Sequence, residues 1–264
     1  MEPKISVLMG IYNCADTLSE SLNSLLNQTY QNFVVIMCDD GSKDNTYEVA
    51  RDYAARYPEK FILLKNEKNM GLTYTLNKCL DKAETKYVAR QDGDDISYPD
   101  RFQKEYDFLE THSEYSFVSC AMDYADEQGI WNTGTVINEP EMKNFIFGSP
   151  FCHAPSMTRT DVLKSINGYR DIDKTRGVED YDLWFRLYAA GYRGYNLSEA
   201  LYQMFDGRDA QSRRTFKRRQ NEAWVMYNGF KDCKANPLFR LFAIKPIIVG
   251  LLPQRIYRLF RKAH

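Results

Sequence analysis

The sequence predicts an α/β fold with a mostly parallel sheet. Short apolar runs typical of strands alternate with helix-like stretches of about 10–15 residues, which favours parallel strands joined by right-handed crossovers. Two strand candidates also end in carboxylates and a glycine, at Asp39–Ser42 and Gln91–Asp95. Ligands bind at the carboxyl ends of strands in such sheets, so both clusters indicate a binding edge.

The individual elements follow from hydrophobic period and capping signals. Strands are predicted at Ile5–Met9, Phe33–Met37, Phe61–Leu64, Tyr87–Arg90 and Ser116–Cys120. Thr17 and Glu20 form a capping-box pattern for a first helix. The apolar face of that helix consists of Leu18, Leu22, Leu25 and Leu26. Further helices are predicted from Asp44 to about Tyr57, over Leu72–Lys82, from Asp100 to about Thr111, and over Tyr181–Ala190. The pattern loosens after residue 121, and strand order there is not predicted.

Composition is that of an ordinary globular protein, with 44% hydrophobic and 27% charged residues in a chain of 264. The net charge of −1 conceals an asymmetry, because residues 1–207 carry −12 and residues 208–264 carry +11. A basic C-terminal segment indicates an anionic partner, either nucleic acid or a membrane surface. The six cysteines are scattered without a CxxC pair, which favours reduced thiols of a cytosolic protein over a disulfide framework or zinc site.

The carboxylates of the second cluster indicate a divalent cation. Asp92, Asp94 and Asp95 lie within four residues and repel one another without a counter-charge. Mg²⁺ and Mn²⁺ favour oxygen ligands, so the pattern points to a nucleotide-diphosphate site with a metal. The alternative is a polar turn, since Asp-Gly is a common turn dipeptide. Asp39 and Asp40 could likewise cap the end of a strand.

Taken together, these motifs resemble those of a known family, the inverting family 2 glycosyltransferases. Members of this family have a GT-A fold, in which the central sheet is Rossmann-like. The resemblance spans about residues 4–205. The matching segments are Ile5–Asn13, Asp39–Thr46, Asn69–Leu72, Gln91–Asp95, Pro99–Arg101 and Glu179–Trp184. It implies a GT-A catalytic domain at 1–207, with a nucleotide-sugar-binding half at 1–100 and an acceptor half at 101–207. A basic helical segment at 208–264 would follow.

The resemblance also assigns roles to the donor-site residues. Gly10 and Tyr12 are expected to lie against the base and ribose of a UDP-sugar, and Asp40 to hydrogen-bond the base. Asp92 and Asp94 form the DxD pair, which would bind the nucleotide and an Mn²⁺ or Mg²⁺ ion, with Asp94 the more direct ligand. Many family members also place a histidine in the region that corresponds here to Tyr202–Arg213, and this chain has none there.

The same resemblance makes Asp180 the general base that deprotonates the acceptor hydroxyl. Glu179 is the alternative, and either carboxylate could simply favour the helix dipole. Trp184 is interpreted as a core residue rather than a sugar-stacking platform. His153 is left open between a ligand contact and a structural hydrogen bond.

The implied function is transfer of one sugar from a UDP-sugar to a saccharide acceptor, with a lipid-linked acceptor expected, in surface polysaccharide synthesis. The Gln-x-x-Arg-Trp motif of processive members is missing, which argues for single transfer. Two other functions stay open: a sugar nucleotidyltransferase, and a nucleotide-sugar or metal-binding module without turnover. The nucleotidyltransferase would need a basic, glycine-rich phosphate loop after the first strand, where Gly10–Cys14 stands instead.

The end of the chain suggests a helix at a membrane interface. Apolar residues fall on one helical face, namely Leu252, Ile256, Leu259 and Phe260, and basic residues on the other, namely Arg255, Arg258, Arg261 and Lys262. We therefore expect a cytoplasmic protein, without a signal peptide, peripheral on the cytoplasmic face of the inner membrane. The alternative is a terminal helix packed on the domain. Nucleic acid is not expected, because no binding motif accompanies the charge.

Overall fold

The computed structural model describes residues 2–206 and 215–251 and forms two compact units. Among the described residues, the sheet unit comprises 2–139, Phe151–Tyr169 and Tyr192–Phe205. The helical unit comprises Pro140–Pro150, Arg170–Gly191, Asp206 and residues 215–251. The domain boundaries expected at residues 100 and 207 stay predictions.

A single nine-stranded sheet organises the described part of the sheet unit. Its strands are β1 Ile5–Ile11, β2 Phe33–Asp39, β3 Phe61–Lys65, β4 Tyr87–Arg90, β5 Ile96–Ser97, β6 Phe117–Asp126, β7 Gly129–Thr133, β8 Met157–Arg159 and β9 Gly194–Phe205. The order is β3-β2-β1-β4-β8-β6-β9-β5, with β7 paired to β6. The first four strands are parallel, as predicted, and the β6–β9 pair is also parallel. The other pairs are antiparallel, so the second half of the sheet is mixed.

Five helices flank this sheet: α1 Ala15–Leu26, α2 Thr46–Arg56, α3 Leu72–Leu80, α4 Arg101–Thr111 and α5 Thr160–Ser165. The predicted apolar face of α1 is confirmed, since Leu18, Leu22 and Leu25 are fully buried and Leu26 is partly buried. They pack with inward side chains of β1 and β2, such as Val7 and Val35. The same core cluster contains buried residues of all four parallel strands.

The predicted start of α1 is wrong. The helix begins at Ala15 after Cys14, and Thr17 lies within its first turn. The Thr17 hydroxyl donates to the carbonyl of Cys14 at 3.3 Å and to that of Gly93 at 3.1 Å. The sequence pattern assigned the Thr17 side chain to capping. In the structure it instead contacts the acidic loop, residues Gln91–Asp95, which follows β4.

The helical unit is built on helices and aromatic packing. Its described elements are a 3-10 helix Asn144–Phe147, α6 Glu179–Ala189, α7 Phe216–Asp232, a 3-10 helix Pro237–Ile244 and α8 Lys245–Leu251. Phe185 of α6 lies at the centre of its core, with ring centroids 4.7 Å from Phe145 and 5.0 Å from Phe230. The Tyr188 hydroxyl donates to the carbonyl of Pro140 at 2.7 Å. The described part of the basic C-terminal segment is thus helical.

Candidate active site

A recess of about 380 Å³ opens at the carboxyl edge of the parallel strands. It is lined by Gly10 and Tyr12 at the end of β1 and by Asp92 and Asp94 after β4. Strands β1 and β4 are hydrogen-bonded neighbours, so their ends deliver both groups to one place. Tyr12 is 41% exposed, which leaves its ring available for stacking on a planar ligand. Four of the five residues predicted for donor and metal binding therefore share one cavity.

Side chains of helix α1 hydrogen-bond to the backbone of the acidic loop. Ser21 donates to the carbonyl of Asp92 at 2.8 Å, and Thr17 donates to that of Gly93. On the other side, the Tyr202 hydroxyl accepts from the backbone N–H of Asp92 at 3.1 Å. A Cβ on Gly93 would lie 2.7 Å from the Cys14 sulfur, so any larger residue would require the Cys14 side chain to move. The spacing between the two aspartates is therefore set by packing on α1.

The two carboxylates of the pair have different surroundings. Arg90 is buried, and its guanidinium lies 2.7 Å from an oxygen of Asp92. Asp94 is exposed on the wall of the recess. Although its surface is exposed, crowding by neighbouring groups partly desolvates the carboxylate, and this together with the charge of Asp92 raises the pKa of Asp94. A cation beside Asp94 would offset both effects, whereas one oxygen of Asp92 is already held by a fixed positive charge.

These residues fit a divalent cation that is shared with a ligand. Within residues 2–206 and 215–251 no group of three or more His, Cys, Asp or Glu side chains is arranged to hold a metal. Mg²⁺ sites in nucleotide enzymes commonly use one or two carboxylates and complete their coordination with phosphate oxygens and water. Asp94 with Asp92 supplies such a pair. The metal roles of both residues stay predictions.

Asp95 has a different environment from its neighbours. It is 2% exposed and accepts a hydrogen bond from the backbone N–H of Phe205 at 2.8 Å. Burial, followed by the charges of Asp92 and Asp94, raises the pKa of Asp95 to about 8. The buried Asp95 carboxyl joins the acidic loop to the end of β9, so we do not count it among the candidate ligands.

Asp40 shapes a neighbouring loop. One carboxylate oxygen accepts from the Asn66 amide and from the backbone N–H of Met70, and the other from that of Gly71, each at 2.8 Å. A carboxylate has about four acceptor positions, so three are occupied within the protein. Asp40 is 4% exposed and is absent from the recess lining. The base contact stays a prediction, and the turn before α3 is an additional role that the sequence did not indicate.

A buried arginine ties the acidic loop to α4. The Arg101 guanidinium donates to Gln91 at 3.2 Å, to Ser97 at 2.8 Å and to the carbonyl of Arg90 at 2.8 Å. Its Nε lies 3.2 Å from Glu105, and both side chains of this pair are fully buried. Gln91 in turn donates to the carbonyl of Asp95 at 2.8 Å. The network therefore connects α4 to both ends of the acidic loop.

We expect Arg101→Met to destabilise the protein by about 3–5 kcal/mol, the usual effect of removing one partner of a buried ion pair. Glu105 would be left as an uncompensated buried charge, and Gln91 and Ser97 would lose a donor. Urea unfolding of the full chain measures the change. The control is Lys104→Met on the same helix, which breaks only surface pairs, with Glu199 at 2.6 Å and Asp100 at 4.0 Å, and should cost less than about 1 kcal/mol. Equal unfolding midpoints for Arg101→Met and wild type would contradict this role.

In the helical unit, Asp180 lies in the first turn of α6 and lines a cavity of about 390 Å³, which we call the Asp180 cavity. No described residue donates a hydrogen bond to its carboxylate. Asp182, two residues on, is instead buried and bound to Arg186 at 2.8 Å and Arg170 at 3.4 Å. Of the two aspartates, only Asp180 presents an unengaged carboxylate to a cavity, as a general base requires.

Two other sequence interpretations are resolved by burial. Trp184 is fully buried, which confirms its assignment to the core. The His153 ring nitrogen lies 3.0 Å from the Tyr169 hydroxyl. Burial and the nearby Arg90 charge hold the pKa of His153 well below its usual value. His153 is therefore neutral and hydrogen-bonded near pH 7, which favours the structural interpretation.

The fold is that of the GT-A glycosyltransferases. A structure of S. aureus TarS in complex with UDP-GlcNAc superposes with a TM-score of 0.70 at 23% identity, covering 95% of this chain and 72% of that one. The mannosyltransferase PcManGT from Pyrobaculum calidifontis, in complex with GDP-Man and Mn²⁺, gives 0.69 at 20% identity, covering 94% and 70%. The fold class predicted from the sequence is confirmed.

The chain belongs to glycosyl transferase family 2, whose profile matches residues 6–166. It is similar to EpsE of Bacillus subtilis (strain 168), with 40% identity over 260 residues that cover 98% of this chain and 94% of EpsE. It is also similar to the UDP-Glc:α-D-GlcNAc-diphosphoundecaprenol β-1,3-glucosyltransferase WfaP of Escherichia coli. That similarity is 30% identity over 209 residues, covering 77% and 78%. The predicted family is therefore confirmed.

Proposed function

We propose that the protein is a metal-dependent, inverting, non-processive glycosyltransferase. It moves one sugar from a UDP-sugar to a saccharide acceptor, with a lipid-linked acceptor in surface polysaccharide synthesis. The observation that carries the proposal is the recess at the ends of β1 and β4, which is lined both by Gly10 and Tyr12 and by the Asp92–Asp94 pair. If the base of a nucleotide stacks on the Tyr12 ring, the phosphates of that nucleotide would lie within reach of the acidic loop.

The residues divide the chemical work as follows. The acceptor hydroxyl loses its proton to Asp180 as its oxygen bonds to the anomeric carbon, and the bond from that carbon to the UDP oxygen breaks. Attack opposite to the leaving group inverts the anomeric centre. Asp94 and Asp92 would hold a divalent cation, which stabilises the charge that develops on the departing diphosphate. Arg90 fixes the orientation of Asp92 in that site.

The choice of donor and acceptor is supported by relatives. WfaP takes UDP-Glc and acts on a sugar carried by diphosphoundecaprenol, as its name states. TarS has been crystallised with UDP-GlcNAc. The test is a panel of UDP-sugars assayed for UDP release with Mn²⁺ and in EDTA. We expect one preferred sugar and release only with the metal. Absence of release from every UDP-sugar, with the acceptor classes supplied, would contradict the proposal.

A peripheral membrane contact is part of this proposal. None of the helices in the described ranges combines the length and hydrophobicity needed to cross a bilayer. The 3-10 helix Pro237–Ile244 and α8 nevertheless expose apolar side chains by 50 to 70%. These side chains, which we call the apolar surface, are Leu238, Leu241, Ile244, Ile248 and Leu251. The helix predicted over residues 252–264 lies outside the described residues, so this surface is new support for the contact.

We expect the protein to bind anionic vesicles at low salt and to dissociate as salt rises, because salt screens the basic segment. The double variant Leu241→Gln, Ile244→Gln should weaken vesicle binding about tenfold or more, since burying each such side chain contributes about 1.5–3 kcal/mol. The control is Ile130→Gln, Ile137→Gln, which changes two residues of the sheet unit that are also more than half exposed. Vesicle co-sedimentation measures both. Equal losses in the two variants, or no binding by wild type, would contradict the contact.

A further inference from the structure

The Asp180 cavity carries more positive charge than the protein itself compensates. Arg218 and Arg219 of α7 and Lys245 at the start of α8 line it together with Asp180 and Glu222. Arg219 is occupied by Glu222 at 3.1 Å. Within the described chain neither Arg218 nor Lys245 forms an ion pair. Two cations from different helices therefore face one cavity without a carboxylate partner.

Arg218 is held in place while its hydrogen-bonding capacity stays unused. The side chain packs against Gly177, whose missing Cβ would lie 3.5 Å from the aliphatic carbons of the arginine. Its Nε is buried and makes no hydrogen bond to any described residue. Leaving a buried charged donor unsatisfied is costly, and a bound ion or water is one way in which such a donor is satisfied. The guanidinium offers a planar fork that matches phosphate oxygens, and a lysine ammonium adds a second point charge.

We propose that the Asp180 cavity is an acceptor subsite in which Arg218 and Lys245 bind a phosphate group carried by the acceptor. This inference rests on the proposed function, since it takes Asp180 as the base that receives the acceptor proton. A volume of about 390 Å³ falls within the range of about 300–1,000 Å³ that is typical of small-molecule sites. The cavity therefore has room for a sugar together with its phosphate.

The position of Lys245 favours an acceptor phosphate that is attached to a lipid. Lys245, Pro246 and Val249 of α8 line the cavity, whereas Ile244 and Ile248 beside them belong to the exposed apolar surface. One short segment thus carries a cation toward the cavity and aliphatic side chains toward the exterior. A diphosphate joined to a hydrocarbon chain matches this arrangement, because its charged group could bind Lys245 while its hydrocarbon chain lies along the apolar surface. The other source of a phosphate is the diphosphate of the donor, and the experiment below separates the two.

The test is calorimetric titration of the full chain with inorganic pyrophosphate in EDTA, so that no cation recruits the anion to Asp92 and Asp94. We expect saturable binding at one site. Arg218→Gln and Lys245→Gln should each weaken it about tenfold or more, the usual contribution of a hydrogen bond between charged groups. The matched control is Lys231→Gln, which removes an exposed charge at the far end of α7 and should leave binding unchanged. Circular dichroism melts verify that each variant is folded.

A second titration, with UDP and Mn²⁺, distinguishes the two phosphate sources. Unchanged UDP binding in both cavity variants supports an acceptor subsite, and loss of UDP binding overturns it in favour of the donor diphosphate. Wild type that ignores pyrophosphate, or variants that bind it as wild type does, also overturn it. Because pyrophosphate binding needs no turnover, it is independent of the proposed activity. An inactive protein that binds pyrophosphate as expected would contradict the function and leave standing only a phosphate site at Arg218 and Lys245.

Discussion

Replacing Asp180 with asparagine is expected to lower turnover by about 10²–10⁴-fold, the usual contribution of a positioned general base. Asparagine keeps the size of the side chain but cannot accept the proton of the acceptor hydroxyl. The carboxylate lines a cavity without a hydrogen bond from the described residues, so the protein itself should tolerate the change. Single-turnover rates measure the chemical step, and titration with the UDP-sugar should show unchanged donor binding.

Asp182→Asn is the matched control, because it changes the same residue type on the same helix. Asp182 holds Arg170 and Arg186, so its replacement should lower the unfolding temperature rather than act selectively on the chemical step. If Asp180→Asn instead loses donor binding while bound substrate reacts at the normal rate, the role as base is wrong. Retained turnover in Asp180→Asn together with a slow Glu179→Gln variant would transfer the role to Glu179.

The second large effect is expected from Asp94→Ala, which should remove most activity. The diphosphate would lose the cation that offsets its developing charge. Wild type should likewise stop in EDTA and recover with Mn²⁺ or Mg²⁺. Asp16→Ala is the control, since Asp16 is an exposed carboxylate that lines the same recess and has no assigned role. Its activity should stay within a few-fold of wild type. Full activity in chelator would contradict the metal assignment.

The first half of the fold could be predicted because its signals are local. Each of the first four strands is a continuous apolar run, and β4 was predicted residue for residue at Tyr87–Arg90. The second half depends on tertiary pairing instead. Strands β5 and β8 have two and three residues, too few for any period to emerge, and they exist because longer strands pair with them. The parallel β6–β9 pair joins residues about eighty positions apart, which no local pattern encodes.

The candidate site shows the same division. The roles proposed for Asp92, Asp94 and Asp180 come from short motifs in the sequence. The residues that position them have no such motif, because their roles arise only when distant segments meet. Ser21 and Tyr202 are ordinary helix and strand residues until they bind the backbone of Asp92. The cations that line the Asp180 cavity were likewise visible in the sequence only as an excess of positive charge in residues 208–264.

The most direct measurement of the central claim is calorimetric titration of the full chain with UDP, once with Mn²⁺ and once in EDTA. We propose that the nucleotide lies in the recess beside Tyr12 and that Asp94 would hold the cation that its phosphates require. We therefore expect binding at one site with Mn²⁺, and a marked loss both in EDTA and in Asp94→Ala with Mn²⁺. Equal affinity in Mn²⁺ and EDTA, or no UDP binding under either condition, would contradict it.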